Sequence, residues 1–111
     1  MKLDELRALG VNVEEGMERC LNNEDFYLKM VGKCLEDPKF EQLGEAIKDP
    51  DLDEAFELAH ALKGVVSNLS LTPLQDIVSE ITELLRARKQ MDYSELYAKM
   101  MQCKGAFDAL V

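Results

Sequence analysis

The 111-residue chain has one histidine, no tryptophan, three prolines and three cysteines. A lone histidine with Cys20, Cys34 and Cys103 far apart, and with no Cys-x-x-Cys pair, cannot complete a tetrahedral metal set. The odd cysteine count gives no disulfide framework, so the three are read as reduced side chains acting as small hydrophobes. No apolar run approaches the roughly 18 residues of a membrane span. The N-terminal stretch MKLDELRALG carries acidic residues in its first turns, which excludes a signal peptide. A cytoplasmic location is therefore expected, and Met1 directly before a helix favours a free-standing chain. Basic side chains are scarce, with 13 Lys and Arg against 22 Asp and Glu, a formal charge of −9. Nucleic acid and anionic membrane surfaces both require clustered cations, so proteins or small molecules are the expected partners.

What remains is helical. The 47% hydrophobic content suits one globular domain over residues 1–111, long enough to build a core without staples. Thr72-Pro73-Leu74-Gln75 has the pattern of a capping box with proline at the first helical position. Asp51-x-x-Glu54, Asp92-x-x-Glu95 and Asn12-x-x-Glu15 repeat that logic with Asp or Asn as the cap. Leu74, Ile77, Val78, Ile81, Leu84 and Leu85 follow the three-four rhythm of a buried helical face. Leu96, Met100, Cys103, Phe107 and Val111 do the same near the C-terminus, with Tyr93 and Tyr97 alongside. A looser stripe of Phe26, Met30, Leu35, Phe40, Leu43 and Ile47 is interrupted by Pro38, where a break with Asp37 as a new cap is expected. Short linkers near 48–50, 70–71 and 89–91 imply antiparallel neighbours. The fold expected is all-α, an antiparallel up-down four-helix bundle with one or two short N-terminal helices packed on it.

The single histidine falls in the segment AHALKGVVSNL, residues 59–69. At about 100° per residue, Ala55, Ala59, Leu62 and Val66 lie together on one side, joined by Leu58, Val65 and Leu69. That stripe is the expected core face. His60 lies opposite, among Asp53, Phe56, Glu57, Lys63, Gly64 and Ser67. Lys63 is one turn along, close enough to neutralise charge placed on the imidazole. Gly64 is on the outer face, where glycine costs about 1 kcal/mol relative to alanine, and it leaves room for a phosphoryl group or a partner backbone. Neutral imidazole is nucleophilic at cellular pH without a partner base. No Ser-His-Asp or Cys-His set can be assembled around it, and an exposed helix face excludes no water. A reversible covalent carrier fits; a hydrolytic or metal enzyme lacks its second catalytic group.

His60-Ala61-Leu62-Lys63-Gly64 with Asn68-Leu69 resembles the H-x-L-K-G signature of histidine-containing phosphotransfer (HPt) domains. The stretch GVNVEEGMERCLNNEDFYLKMVGKCLED is similar to the opening of that family, with an acidic-Gly-x-x-Arg helix start and an aromatic after Asn-Asn-Glu. The resemblance implies a phosphorelay intermediate of a two-component system. An exposed histidine accepts a phosphoryl group from a receiver-domain aspartate and passes it to another receiver. His60 then matches the acceptor, Lys63 the phosphate-neutralising lysine and Gly64 the clearance for the receiver, with Phe56 and Ser67 on the docking face. The implied partners are receiver domains of a hybrid sensor kinase or response regulator, with Mg2+ expected on the receiver and no cofactor on this chain. A monomer is expected. Nothing resembles a kinase ATP-binding domain, so no kinase activity of its own is expected. Two departures stand out. Ser70 occupies a position where the family often has glycine, which is expected to alter the helix end rather than the chemistry. Thr82 stands where many members place a supporting glutamine, with Arg86 the candidate for a compensating role. The alternative is a helical adaptor of the same fold that binds a receiver without carrying phosphate.

Overall fold

The computed structural model describes all 111 residues and is built of seven helices. They are α1 (Leu3–Ala8), α2 (Val13–Arg19), α3 (Glu24–Leu35), α4 (Lys39–Lys48), α5 (Leu52–Asn68), α6 (Thr72–Arg86) and α7 (Ser94–Asp108). Helices α4 to α7 pack in sequence, and α7 closes back on α4 to make the four-helix bundle. Ion pairs from Lys63 to Glu83 and from Asp53 to Arg88 fix α5 and α6 as antiparallel. The Tyr97 hydroxyl donates to the Phe40 carbonyl (2.9 Å), while Lys104, farther along α7, lies over the same Phe40 ring. The two short helices α1 and α2 and the longer α3 cover one end, and α3 also meets α7. Buried apolar side chains from all seven helices form one continuous core.

The local signals explain most boundaries. Asn12 and Asp51 accept from the backbone N–H groups of Glu15 (3.2 Å) and Glu54 (3.1 Å), as their sequence spacing predicts. The break at Pro38 is present, but Pro38 itself holds the capping position of α4, and Asp37 lies one residue outside it, accepting from Lys39 N–H at 2.9 Å. Asn23, a cap the sequence reading overlooked, takes the Phe26 N–H.

Two further caps differ from expectation. Thr72 is already helical and Leu71 holds the capping position, because the chain enters α6 from a tight turn; the Thr72 hydroxyl is used up on the Ser70 carbonyl. Asp92 sits one residue outside the start of α7, where its carboxylate takes both Ser94 N–H and Ser94 Oγ rather than the Glu95 N–H.

Three stripe residues lie outside the core. Phe26 is exposed because Asn23 starts α3 just ahead of it, which turns the next residue, Tyr27, inward instead. Val65 is 38% exposed: the buried edge of α5 is centred on Ala55, Ala59, Leu62 and Val66, and Val65 falls on its rim. Val111 lies beyond the end of α7 and is exposed. One charge is buried against pattern, Lys104, whose ammonium pairs with Asp108 at 2.9 Å across one helical turn.

The C-terminal end of α5 is the most heavily tied point. Ser70 N–H bonds to Ser67 O and Leu71 N–H to Val66 O, the Schellman pattern, with Ser70 in the left-handed region at φ 55°. Glycine is the usual occupant of such a position because a Cβ is unfavourable there. Here the serine is retained by its hydroxyl, which donates to Glu15 (2.8 Å) and accepts from Arg19 (3.1 Å). Arg19 also donates to Ser67 O at 2.6 Å, and the Tyr27 hydroxyl to Leu69 O at 2.8 Å. Burial pushes the Tyr27 hydroxyl up to about 12, which keeps it a donor. Gly16 completes the contact: a methyl there would lie 2.6 Å from Tyr27 Cε1 and 2.7 Å from the Leu69 carbonyl oxygen.

Gly16→Ala is therefore expected to destabilise the protein by about 1–3 kcal/mol through overpacking against backbone. Gly32, whose added methyl would meet nothing, serves as the control, and Gly32→Ala should be neutral or stabilising. Urea unfolding of the two variants checks the contrast.

Candidate functional site

The Asp51 cap starts α5 and the Ser70 turn ends it, so His60 sits at mid-helix, away from either fraying end. The pattern of one apolar edge on a 17-residue helix leaves the opposite face in solvent, and the imidazole is exposed there. Phe56, one turn earlier, stacks on it with ring centroids 5.5 Å apart and an interplanar angle of 26°.

That phenylalanine is held from a second helix. The guanidinium of Arg86 lies 5.0 Å from its ring centre and that of Arg88 4.7 Å. Arg88 reaches this position because α6 also ends in a Schellman turn: Arg88 N–H bonds to Leu85 O and Lys89 N–H to Leu84 O, with Arg88 at φ 52°. Its guanidinium then pairs with Asp53 at 2.7 Å. Two cations therefore lie against the ring that stacks on the histidine, in a chain whose formal charge is −9.

Lys63 lies one turn beyond His60 and reaches across to α6. Its ammonium is 3.2 Å from Glu83 Oε2, while Arg86 Nε is 3.1 Å from Glu83 Oε1. The Arg86 hydrogen bond and then the Lys63 hydrogen bond hold the Glu83 carboxyl below its ordinary range, so it is a firmly anionic partner. Gly64 is open: a methyl added there would meet no atom within 4 Å. Ser67 is half-buried, and its carbonyl is engaged by Arg19.

His60, Lys63, Gly64, Phe56 and Ser67 thus share one face of α5, in the order the helical wheel gives them. Thr82 does not join them. It is fully buried and its hydroxyl bonds to Val78 O at 2.7 Å, so it supports its own helix and not the imidazole. Arg86 is the residue of α6 that touches the Phe56 ring. Glu83 and Arg88 were missed in sequence because neither has a local signal; only the packing of α6 on α5 brings them in.

One shallow surface cleft is lined by Asp53 and Arg88, but none is lined by His60. A nucleophile on an open helix face, with no cavity around it, cannot enclose a small substrate. It suits a reaction whose second half arrives on another macromolecule.

The Hpt domain family model matches residues 35–111. The chain belongs to the Hpt domain family. It is also 32% identical, over an alignment of 116 residues, to Sensory/regulatory protein RpfC from two strains of Xanthomonas campestris pv. campestris. That alignment covers 98% of this chain and 14% of the relative, so the chain spans a small part of the relative's length. No solved structure gives a significant match. Family membership supports a two-component phosphotransfer role. No helix is long and apolar enough to cross a membrane.

Because Gly64 is helical and faces open space, Gly64→Ala should raise stability by up to about 1 kcal/mol. A melting temperature at or above that of the parent is the expected result.

Proposed function

We propose that this protein is a phosphorelay intermediate that accepts a phosphoryl group on His60 from a receiver-domain aspartate and returns it to the aspartate of another receiver. The observation that carries this reading is the exposed His60, with Lys63 one turn away and the unobstructed Gly64 beside it. The alternative, a non-relay adaptor, gives no account of why all three are kept on one exposed face.

The chemistry needs little from the carrier. The lone pair of a neutral imidazole nitrogen attacks phosphorus, the P–O bond to the donor aspartate breaks, and its electron pair leaves on the carboxylate. The other ring nitrogen keeps its proton, so no general base is required. Negative charge on the transferring oxygens is met by the Lys63 ammonium, with electrostatic stabilisation where charge develops. Mg2+ is expected on the receiver, and nothing in this proposal assigns a cofactor to the carrier. The receiver approaches over Gly64 and rests on Phe56 and the Ser67 end of α5. The chain acts without its own ATP-dependent kinase activity, as a monomer, in the cytoplasm. The word "sensory" in the relative's name agrees with such a setting.

Incubation with a phosphorylated receiver domain should give an acid-labile, alkali-stable phosphoprotein, and His60→Gln should abolish the label while leaving the fold intact. Label persisting in that variant would end the assignment.

The clearance role separates rate from stability. Gly64→Gln should still fold, because position 64 faces solvent. Its single-turnover transfer rate should nevertheless fall by about two orders of magnitude, as expected when reacting groups are held about 1 Å out of place. Transfer at the parental rate would refute the steric argument.

A further inference from the structure

Lys63 is not free in the resting protein. Its ammonium is taken by Glu83 at 3.2 Å, and the same carboxylate is held on its other oxygen by Arg86 at 3.1 Å. The pair is partly in solvent, with Lys63 34% and Glu83 54% exposed, so it can exchange partners. A phosphoryl group arriving on His60 and the Glu83 carboxylate are both anions, and both claim the one ammonium on this side of the imidazole.

We propose that Glu83 is a positioning residue that holds Lys63 in reserve and, by competing with the incoming phosphoryl group for it, sets how readily His60 is phosphorylated. This rests on the reading of His60 as the acceptor. Arg86 makes the exchange workable, since Glu83 keeps a cationic partner when Lys63 turns toward the phosphoryl oxygens. With Arg86 still bound, the negative charge of the carboxylate remains compensated throughout. Glu83 thus works against phosphorylation in the resting state, which favours a carrier that passes its phosphoryl group on over one that stores it.

The test uses potassium phosphoramidate as the phosphoryl donor, so that no receiver need be identified. The histidine lone pair forms the new P–N bond, the donor's P–N bond breaks, and its electron pair leaves with ammonia. The initial rate of phosphohistidine formation is followed by 31P NMR in the intact chain and in Glu83→Gln, Lys63→Ala and the double variant. Glu83→Gln should label about three- to fivefold faster, the range open to a partly exposed ion pair. In the Lys63→Ala background the same substitution should have no effect, a double-mutant cycle that isolates the coupling. Melting temperature should be unchanged by Glu83→Gln, because the carboxylate is on the surface. Equal rates for the parent and Glu83→Gln would overturn the proposal. So would an acceleration that survives in Lys63→Ala, which would make Glu83 a direct repellent acting without the lysine. Failure of the parent chain to acquire any label at His60 would instead refute the acceptor reading on which the proposal stands.

Discussion

The Leu69 carbonyl at the end of α5 is the point on which the arrangement depends. It accepts the Tyr27 hydroxyl, and Gly16 presses against both groups at a separation no larger residue permits. Arg19 takes the carbonyl two residues earlier and the Ser70 hydroxyl one residue later. Helices α2 and α3 therefore grip the C-terminal end of α5 through backbone acceptors, and these groups do not slide as apolar contacts can. A helix held this way has its rotation fixed, and rotation decides whether His60 faces solvent or core. The residues that provide the grip precede residue 35, where the match to the family model begins, although the RpfC alignment covers 98% of the chain.

Ser70 shows how a local strain is accommodated by tertiary bonds. A non-glycine residue at φ 55° is unfavourable by itself, and the hydroxyl that makes it a serine brings two hydrogen bonds that a glycine lacks. Ser70 was expected to alter the helix end; it does not, and it lies ten residues from His60 at the far end of α5. The helix end keeps its usual left-handed turn and gains a link to α2.

Around the histidine, the cations of an acidic chain are gathered along the α5–α6 seam and each is paired: Lys63 and Arg86 with Glu83, and Arg88 with Asp53. Arg86 and Arg88 also lie over the Phe56 ring. The same seam supplies the counter-ions, Asp53 and Glu83, that keep the cations ordered before any partner arrives.

The residues of α5 alone determined that His60, Lys63 and Gly64 share a solvent face, because helical periodicity is a local property and the apolar edge leaves only one other side. Asn12 and Asp51 likewise announced their caps, since cap and amide lie within three residues. Thr72 and Asp92 misled because each side chain is spent within two residues, Thr72 on the Ser70 carbonyl and Asp92 on Ser94, while Leu71 and Tyr93 hold the capping positions. Phe26 and Val65 misled because a stripe read from spacing has no sharp edges until neighbouring helices cover it. The motif Gly16-x-x-Arg19 was visible as a resemblance, but its purpose was not; both residues act on an α5 terminus about fifty positions away. Glu83 and Arg88 entered the site only through the antiparallel packing of α6 on α5, which also put Arg86, named from sequence, against Phe56. Sequence thus determined which face of α5 carries the histidine, while tertiary structure decided which charges surround it, because charge neighbours across a helix pair depend on register and crossing, and no local period encodes them.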